Sequence, residues 1–197
     1  MFKTLLLCAA LALAAVQAHA DAPAAKAGTY AIDPRHTQII FSIRHMGLST
    51  FYGRFGAVSG TLAFDPAAPE KSTLAATVDM TNIDTHVDEL DKELRDNVFK
   101  AAKFPTATFT VTKIVKTGDD TGTATGDLTL AGVTKPITLT VTFNGGRYPP
   151  IPFQPYRLGF NATATVKRSD FGLDGMIWSG IVSDDVTLQI ECELEKQ

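Results

Sequence analysis

Between Gly126 and Phe143 the chain alternates so strictly that it admits one kind of secondary structure. Leu128 and Leu130 flank Thr129; after Gly132 and the Val133-Thr134-Lys135-Pro136 corner, Ile137, Leu139, Val141 and Phe143 interleave with Thr138, Thr140 and Thr142. Period-two alternation over this length specifies strands with one apolar and one threonine face, a pattern that no helix can present. The same writing recurs where Val186, Leu188, Ile190, Cys192 and Leu194 alternate with Thr187, Gln189, Glu191, Glu193 and Glu195. It recurs at Leu158, Phe160, Ala162, Ala164 and Val166, and more loosely from Leu74 to Met80. A sheet written this way must hide one face from water, either under a second sheet or by closing on itself. The enclosed face is where function is expected.

The N-terminus bears on compartment. Lys3 precedes an apolar run from Leu5 to Val16 that is too short to cross a bilayer, and Ala18-His19-Ala20 supplies small residues for cleavage. Residues 1–20 are therefore expected to be a signal peptide cut after Ala20, with 21–28 as a flexible lead-in. Cys8 lacks the preceding small residues of a lipid-attachment site. Removing 1–20 takes away one lysine and no acid, so 17 basic against 21 acidic side chains leave a net charge of −4. Such a chain, without a basic cluster, has little to attract nucleic acid or anionic headgroups, and no later segment is apolar enough to span a membrane. Cys192 is the only cysteine left, so no internal disulfide is expected. Its place on an apolar strand face suits a buried, inert thiol.

Residues 29–197 suit one domain. Strands are expected near 29–33, 37–46, 54–65, 72–81, 106–115, 122–131, 136–144, 157–167 and 184–195, with Asp65-Pro66, Gly118-Asp119-Asp120 and Gly145-Gly146 as turns. One segment departs from this pattern. With Thr85 as N-cap, Val87, Leu90, Leu94 and Val98 fall on one face of a short amphipathic helix, and Pro105 limits it. The fold class is thus all-β, an antiparallel barrel of about eight strands with one short helix near an end. Two loops stand out. Tyr148 to Pro155 carries four prolines around Ile151 and Phe153, as a rigid rim or a lid; Ser169 to Trp178 is apolar for a loop and holds the only tryptophan, in the core or at a pocket mouth.

Catalytic signatures are absent. There is no Gly-x-Ser-x-Gly, Walker or GxGxxG pattern, and His36, His45 and His86 show no metal-ligand spacing. Asp33, Asp65, Asp127 and Asp170 stand at turn-like positions, where backbone hydrogen bonding accounts for them.

Several short elements together carry a family likeness. Tyr30-Ala31-Ile32-Asp33-Pro34 with His36, Phe41-Ser42-Ile43 with His45, Gly53-Arg54-Phe55, Lys103-Phe104-Pro105 with Thr108-Phe109, Gly126 to Leu130 with Gly132 to Pro136, and Asp170-Phe171-Gly172 resemble, in order and spacing, the YceI-like family. The likeness runs from Tyr30 to Glu195, and Gly126 to Pro136 is its most specific part. It implies a periplasmic or secreted protein with an extended lipocalin-like barrel, an apolar tunnel holding an isoprenoid-chain or similar lipid, and a possible homodimer. The family's helical segment often reads Arg-Asp-x-His-Leu; here Leu90-Asp91-Lys92-Glu93-Leu94 replaces the arginine and the histidine.

The expected function is a non-enzymatic periplasmic carrier or sequestering protein for a long-chain lipid: a polyisoprenoid, an isoprenoid quinone or a fatty-acid derivative. It needs no metal and no other cofactor. The larger apolar residues of alternating strands, Phe41, Ile43, Phe109, Val111, Leu128, Leu130, Leu139, Val141 and Phe160, with Trp178 from the apolar loop, are the expected lipid contacts. Two alternatives are a lipid-acting enzyme using His36 or His45, and an outer-membrane barrel with its faces reversed. The sparse aromatics and the Leu194-Glu195-Lys196-Gln197 ending disfavour the latter.

Overall fold

A computed structural model describes residues 25–175 and 180–197. Residues 1–20, expected to be a signal peptide, residues 21–24 of the expected lead-in, and Trp178 lie outside the described residues.

The chain begins with β1 (Gly28–Ile32) and β2 (Gln38–His45), which are one barrel strand broken at a corner. Pro34 has no N–H for the ladder, and the Asp33 carboxylate accepts from Arg35 N–H at 3.0 Å, so the backbone turns on its own side chain. β3 (Ser49–Arg54) and β4 (Val58–Phe64) form a second broken strand that follows the first back. Next come β5 (Thr73–Asp79), helix α1 (Asp88–Glu93) and the regular staves β6 (Thr106–Lys116), β7 (Thr121–Leu130), β8 (Val133–Arg147), β9 (Arg157–Lys167) and β10 (Val182–Lys196).

Neighbours pair in the order β1-β4-β5-β6-β7-β8-β9-β10-β2-β3, and β1 also pairs with β10. The long β10 explains this double membership. Its first part runs beside β2, from Val186 opposite Ile43 to Glu191 opposite Gln38, and its last residues run beside β1, with Leu194 opposite Ile32. Ten segments therefore make eight staves of a closed antiparallel barrel, the count read from the sequence.

The two ends differ. At one end, here the proline end, lie the β4–β5 connection with its single 3₁₀ turn Pro69–Lys71, the β6–β7 turn and the proline-rich β8–β9 loop. Closure there is complete: β4 meets β5 from Val58 opposite Val78 to Ala63 opposite Thr73. At the helical end, the seam beyond β3 carries an isolated bridge, Arg54 with Asp84, and α1 follows close by.

Alternation sorts the faces as expected. Leu139 is buried on β8 while Thr138, Thr140 and Thr142 are exposed, and outer hydroxyls pair across strands, Thr125 with Thr138 at 2.9 Å and Thr129 with Thr134 at 2.8 Å. This polar-out arrangement is the reverse of a transmembrane barrel. No helix among the described residues is long and apolar enough to cross a membrane. The β7–β8 hairpin closes through two residues, Ala131 at φ 49° and Gly132 at φ 83°. Both have the positive φ that a two-residue hairpin twist requires, and a Cβ at Gly132 would sit 2.7 Å from the Phe104 ring.

Several local expectations change, among them Asp127, which is paired inside β7 opposite Pro136 rather than standing in a turn. Thr85 is not the helix N-cap: its N–H and Oγ–H both donate to Asp91 Oδ1, at 2.7 and 2.6 Å, so it anchors the first turn from outside and Val87 takes the cap position, half exposed. The helix continues past Glu93 as one π-turn, Leu94–Val98. Ser49–Arg54 is a strand of its own. Gly145-Gly146 is not a turn but the end of β8, which runs on past a register shift between Phe143 and Gly145.

Candidate functional site

An eight-stave barrel is just wide enough to be filled by its own side chains or to hold a ligand. This barrel does some of each. Near β1, β4 and the far ends of β9 and β10, the interior is filled: Tyr30, Leu158 and Leu194 are among the most completely buried side chains. Elsewhere several inward positions are small, among them Ala76, Ala124 and Ala162, and space remains.

That space forms two chambers. The first, about 350 Å³, lies toward the helical end; the second, about 500 Å³, reaches the proline end. Ile39, Val78, Leu128 and Leu188 line both, and form a waist between them.

The residues read from alternation fall on these walls. Phe41, Ile43 and Leu130 line the first chamber, Phe109, Val111, Leu139, Val141 and Phe160 the second, and Leu128 the waist. Trp178 lies outside the described residues. The helix supplies Leu90, Leu94 and Val98, and Phe51, Phe55 and Phe171 complete the first chamber. The helical spacing of the first three was visible in the sequence as an apolar face, but nothing local showed that this face looks into the barrel. Leu90, standing where the family pattern often has arginine, is thus part of an apolar wall. Phe64, Phe143 and Phe160 form an aromatic group in the second chamber, with ring centroids 5.0 to 5.9 Å apart.

Charged groups lie at the chamber ends. His45, Lys167 and Arg168 border the first. Arg168 spends its guanidinium on backbone carbonyls, including Leu173 O at 2.6 Å and Ser183 O at 3.0 Å, and the Lys167 ammonium is 2.8 Å from Asp185, whose hydrogen bond raises the lysine pKa. Lys116, Asp119 and Asp120 border the second chamber at the β6–β7 turn. Between these rims the walls offer dispersion contacts and a dry surface, which suit a flexible hydrocarbon chain.

Cys192 also lines the second chamber. Burial pushes its thiol up to about 11, against a weak hydrogen bond from Thr37 that acts the other way.

One polar cluster was not legible in the sequence. At the β1–β2 corner the Asp33 side chain is 1% exposed, yet it is surrounded by donors: Arg157 Nη1 at 2.9 Å, His36 Nδ1 at 2.7 Å and Arg35 Nε at 3.1 Å. Burial would raise its pKa, but these hydrogen bonds outweigh it and hold the carboxyl well below the usual carboxylate range. Asp33, His36 and Glu193 are close enough to share a cation. Arg157 already supplies one, its Nη1 2.9 Å from Asp33 Oδ2 and 2.9 Å from Glu193 Oε2, while the His36 Nδ1–H is spent on Asp33. The donor set is therefore satisfied by an internal guanidinium and does not fit a metal. Asp33 and His36 do converge, but neither borders a chamber; His45 borders the first without Asp33, His36 or Asp170 beside it.

The model of the YceI-like domain matches residues 30–194. A UPF0312 protein of Pseudomonas savastanoi pv. phaseolicola is 40% identical over 185 residues, covering 92% of this chain and 94% of the relative. A crystal structure of a Campylobacter jejuni YceI protein matches with TM-score 0.68 at 33% identity, over 78% of this chain and 90% of that one. A polyisoprenoid-binding domain from Saccharophagus degradans, implicated in plant cell wall breakdown, shares the fold at 16% identity, with TM-score 0.65 over 87% of this chain and 100% of that one. With the barrel, its register and a family model spanning almost every described strand in agreement, this chain belongs to the YceI-like family.

Proposed function

We propose that the protein is a periplasmic carrier or sequestering protein that holds one long-chain lipid, a polyisoprenoid, an isoprenoid-tailed quinone or a fatty-acid derivative, non-covalently along its two chambers. The observation that carries this reading is the shape and chemistry of the interior: two chambers of about 350 and 500 Å³ joined at an aliphatic waist, with charges only toward the rims. Each Å² of chain surface taken from water there contributes about 25 cal/mol, so several isoprene units supply most of the affinity without a specific polar contact. Selection among chains of similar girth is correspondingly loose. The lipid named in the Saccharophagus degradans domain supports the same chemistry, and the N-terminal apolar run supports export.

The test is mass spectrometry of an organic extract from natively purified protein. The expected result is a stoichiometric long-chain lipid that is lost on unfolding; reproducible purification without any apolar small molecule, and no uptake when such lipids are supplied, would overturn the reading.

A further inference from the structure

A carrier has to meet the surface from which it draws its lipid, and one loop has a construction that the interior does not explain. Between β8 and β9 the chain reads Tyr148-Pro149-Pro150-Ile151-Pro152-Phe153-Gln154-Pro155. None of these residues lines a chamber, so the loop is no lid over bound lipid in this conformation. Its large apolar side chains point the other way: Tyr148 is 59% exposed, Ile151 60%, and Phe153 is completely exposed.

Phe153 also occupies a backbone position that an aromatic residue ordinarily avoids. Gln154 N–H closes a turn onto Ile151 O at 3.4 Å, and Phe153 holds its third position at φ 63°, where glycine or asparagine is favoured. Four prolines restrict the chain around it, so the ring is held outward without packing against anything.

Although the chain as a whole is acidic and has little to attract anionic headgroups, the charge within this segment is of one sign. From Asn144 to Gly159 the charged residues are Arg147 and Arg157, with no acid, and Arg157 is engaged in the Asp33 cluster. Lys26 donates to Tyr148 Oη at 2.8 Å and sits over the Tyr148 and Tyr156 rings, 4.5 and 5.3 Å from their centroids. Apolar tips, a tyrosine hydroxyl behind them and cations at that level are the order of chemistry met on entering an anionic bilayer from water. The second chamber reaches the same end of the barrel, where Ala25, next to Lys26, and the half-exposed Val115 line it.

We propose that the β8–β9 loop docks the proline end of the barrel on an anionic phospholipid bilayer, with Ile151 and Phe153 entering the acyl boundary and Lys26 and Arg147 meeting phosphate. This rests on the lipid-carrier reading, and it names the surface with which that carrier exchanges. Asp119 and Asp120 on the neighbouring β6–β7 turn limit the attraction, so docking is weak and reversible, as exchange requires.

Co-sedimentation of the mature protein with vesicles of equal parts phosphatidylglycerol and phosphatidylcholine tests it. The wild type is expected to bind, and to bind less to phosphatidylcholine alone. The double variant Ile151→Ser, Phe153→Ser should lose about tenfold in partitioning, and Lys26→Gln, Arg147→Gln should lose the preference for phosphatidylglycerol. Phe153→Trp should gain a blue-shifted emission component on vesicles that the wild type lacks. Each variant's extractable lipid should match the wild type's, because none of these residues lines a chamber. Undiminished vesicle binding by the Ile151→Ser, Phe153→Ser variant overturns the proposal. So does finding that this variant instead dissociates a dimer, which would make the loop a contact between copies. A protein that binds vesicles through this loop but never carries lipid would overturn the carrier reading and leave the docking surface standing.

Discussion

Arg157 Nη1 lies 2.9 Å from the buried Oδ2 of Asp33, 124 residues away in sequence, and ties the start of β9 to the corner that breaks the first barrel stave. Arg157 is itself only 14% exposed, and it also reaches Glu193 and Glu195 on β10. Removing it with Arg157→Met leaves a buried carboxylate whose remaining cationic partner, Arg35, is 70% exposed and contributes little. We expect a loss of about 2–3 kcal/mol in urea unfolding at neutral pH. The pH dependence has a definite sign. Because the folded pKa of Asp33 is depressed, its contribution is complete above the unfolded value of about 3.9 and is lost as pH falls below that toward the folded value. The stability gap between wild type and Asp33→Asn should therefore hold at neutral pH and narrow below about pH 4. A gap that stays constant through acid would show that the carboxylate's charge is not what matters.

Cys192 provides a chemical probe of the second chamber. With its thiol pKa near 11 rather than 9.0, the thiolate fraction at mildly alkaline pH falls about a hundredfold, and burial slows reagents further. Native protein should resist iodoacetamide and react at the rate of a free thiol once unfolded in urea. Rapid native labelling would mean that the β10 wall opens far more readily than its packing indicates.

The ring of Phe109 lies over Gly126: a Cβ built there would stand 2.7 Å from it and 2.4 Å from Thr110 O. Gly126→Val therefore has to displace either the β6–β7 ladder or the ring, and the ring's free direction is the second chamber. Overpacking of this kind costs about 1–3 kcal/mol. The variant should remain folded and retain distinctly less lipid, read as the molar ratio of extracted lipid to protein.

How much could be read in advance differs by kind of interaction. Alternation from Leu128 to Phe143 and from Val186 to Leu194 placed inner and outer faces, because that signal is local to each strand. β3 was missed because Gly53 holds an inner position without a side chain, against the Phe41 ring, and the aromatic Tyr52 points outward, exposed. Thr85 reads as an N-cap by residue type, whereas its partner, the Asp91 carboxylate, is set by how the chain enters the helix. Asp127, read as a turn residue after Gly126, is paired inside β7 opposite Pro136. In the Asp33 cluster only Arg35 and His36 are near in sequence; Arg157 from β9 and Glu193 from β10 become neighbours through barrel closure alone.

The sharpest separation between burial and chemistry is a charge placed on the inner wall beside one removed from the rim. Leu139 is 7% exposed and faces the second chamber, where a carboxylate has no cation within the apolar wall to compensate it. Leu139→Glu should therefore lose lipid, and should lose stability by about 2–4 kcal/mol at neutral pH. Its pKa is pushed up by burial, so part of that loss should return as pH falls and the group is neutralised. His45→Gln removes the titratable group at the border of the first chamber while keeping hydrogen-bonding capacity, and His36→Gln does the same at the Asp33 corner. If apolar burial holds the lipid, both histidine variants should keep it at wild-type stoichiometry, with His36→Gln alone showing a modest loss of stability from the Asp33 cluster. A folded His45→Gln protein stripped of its lipid would show instead that retention depends on an imidazole, and would return attention to the enzyme alternative.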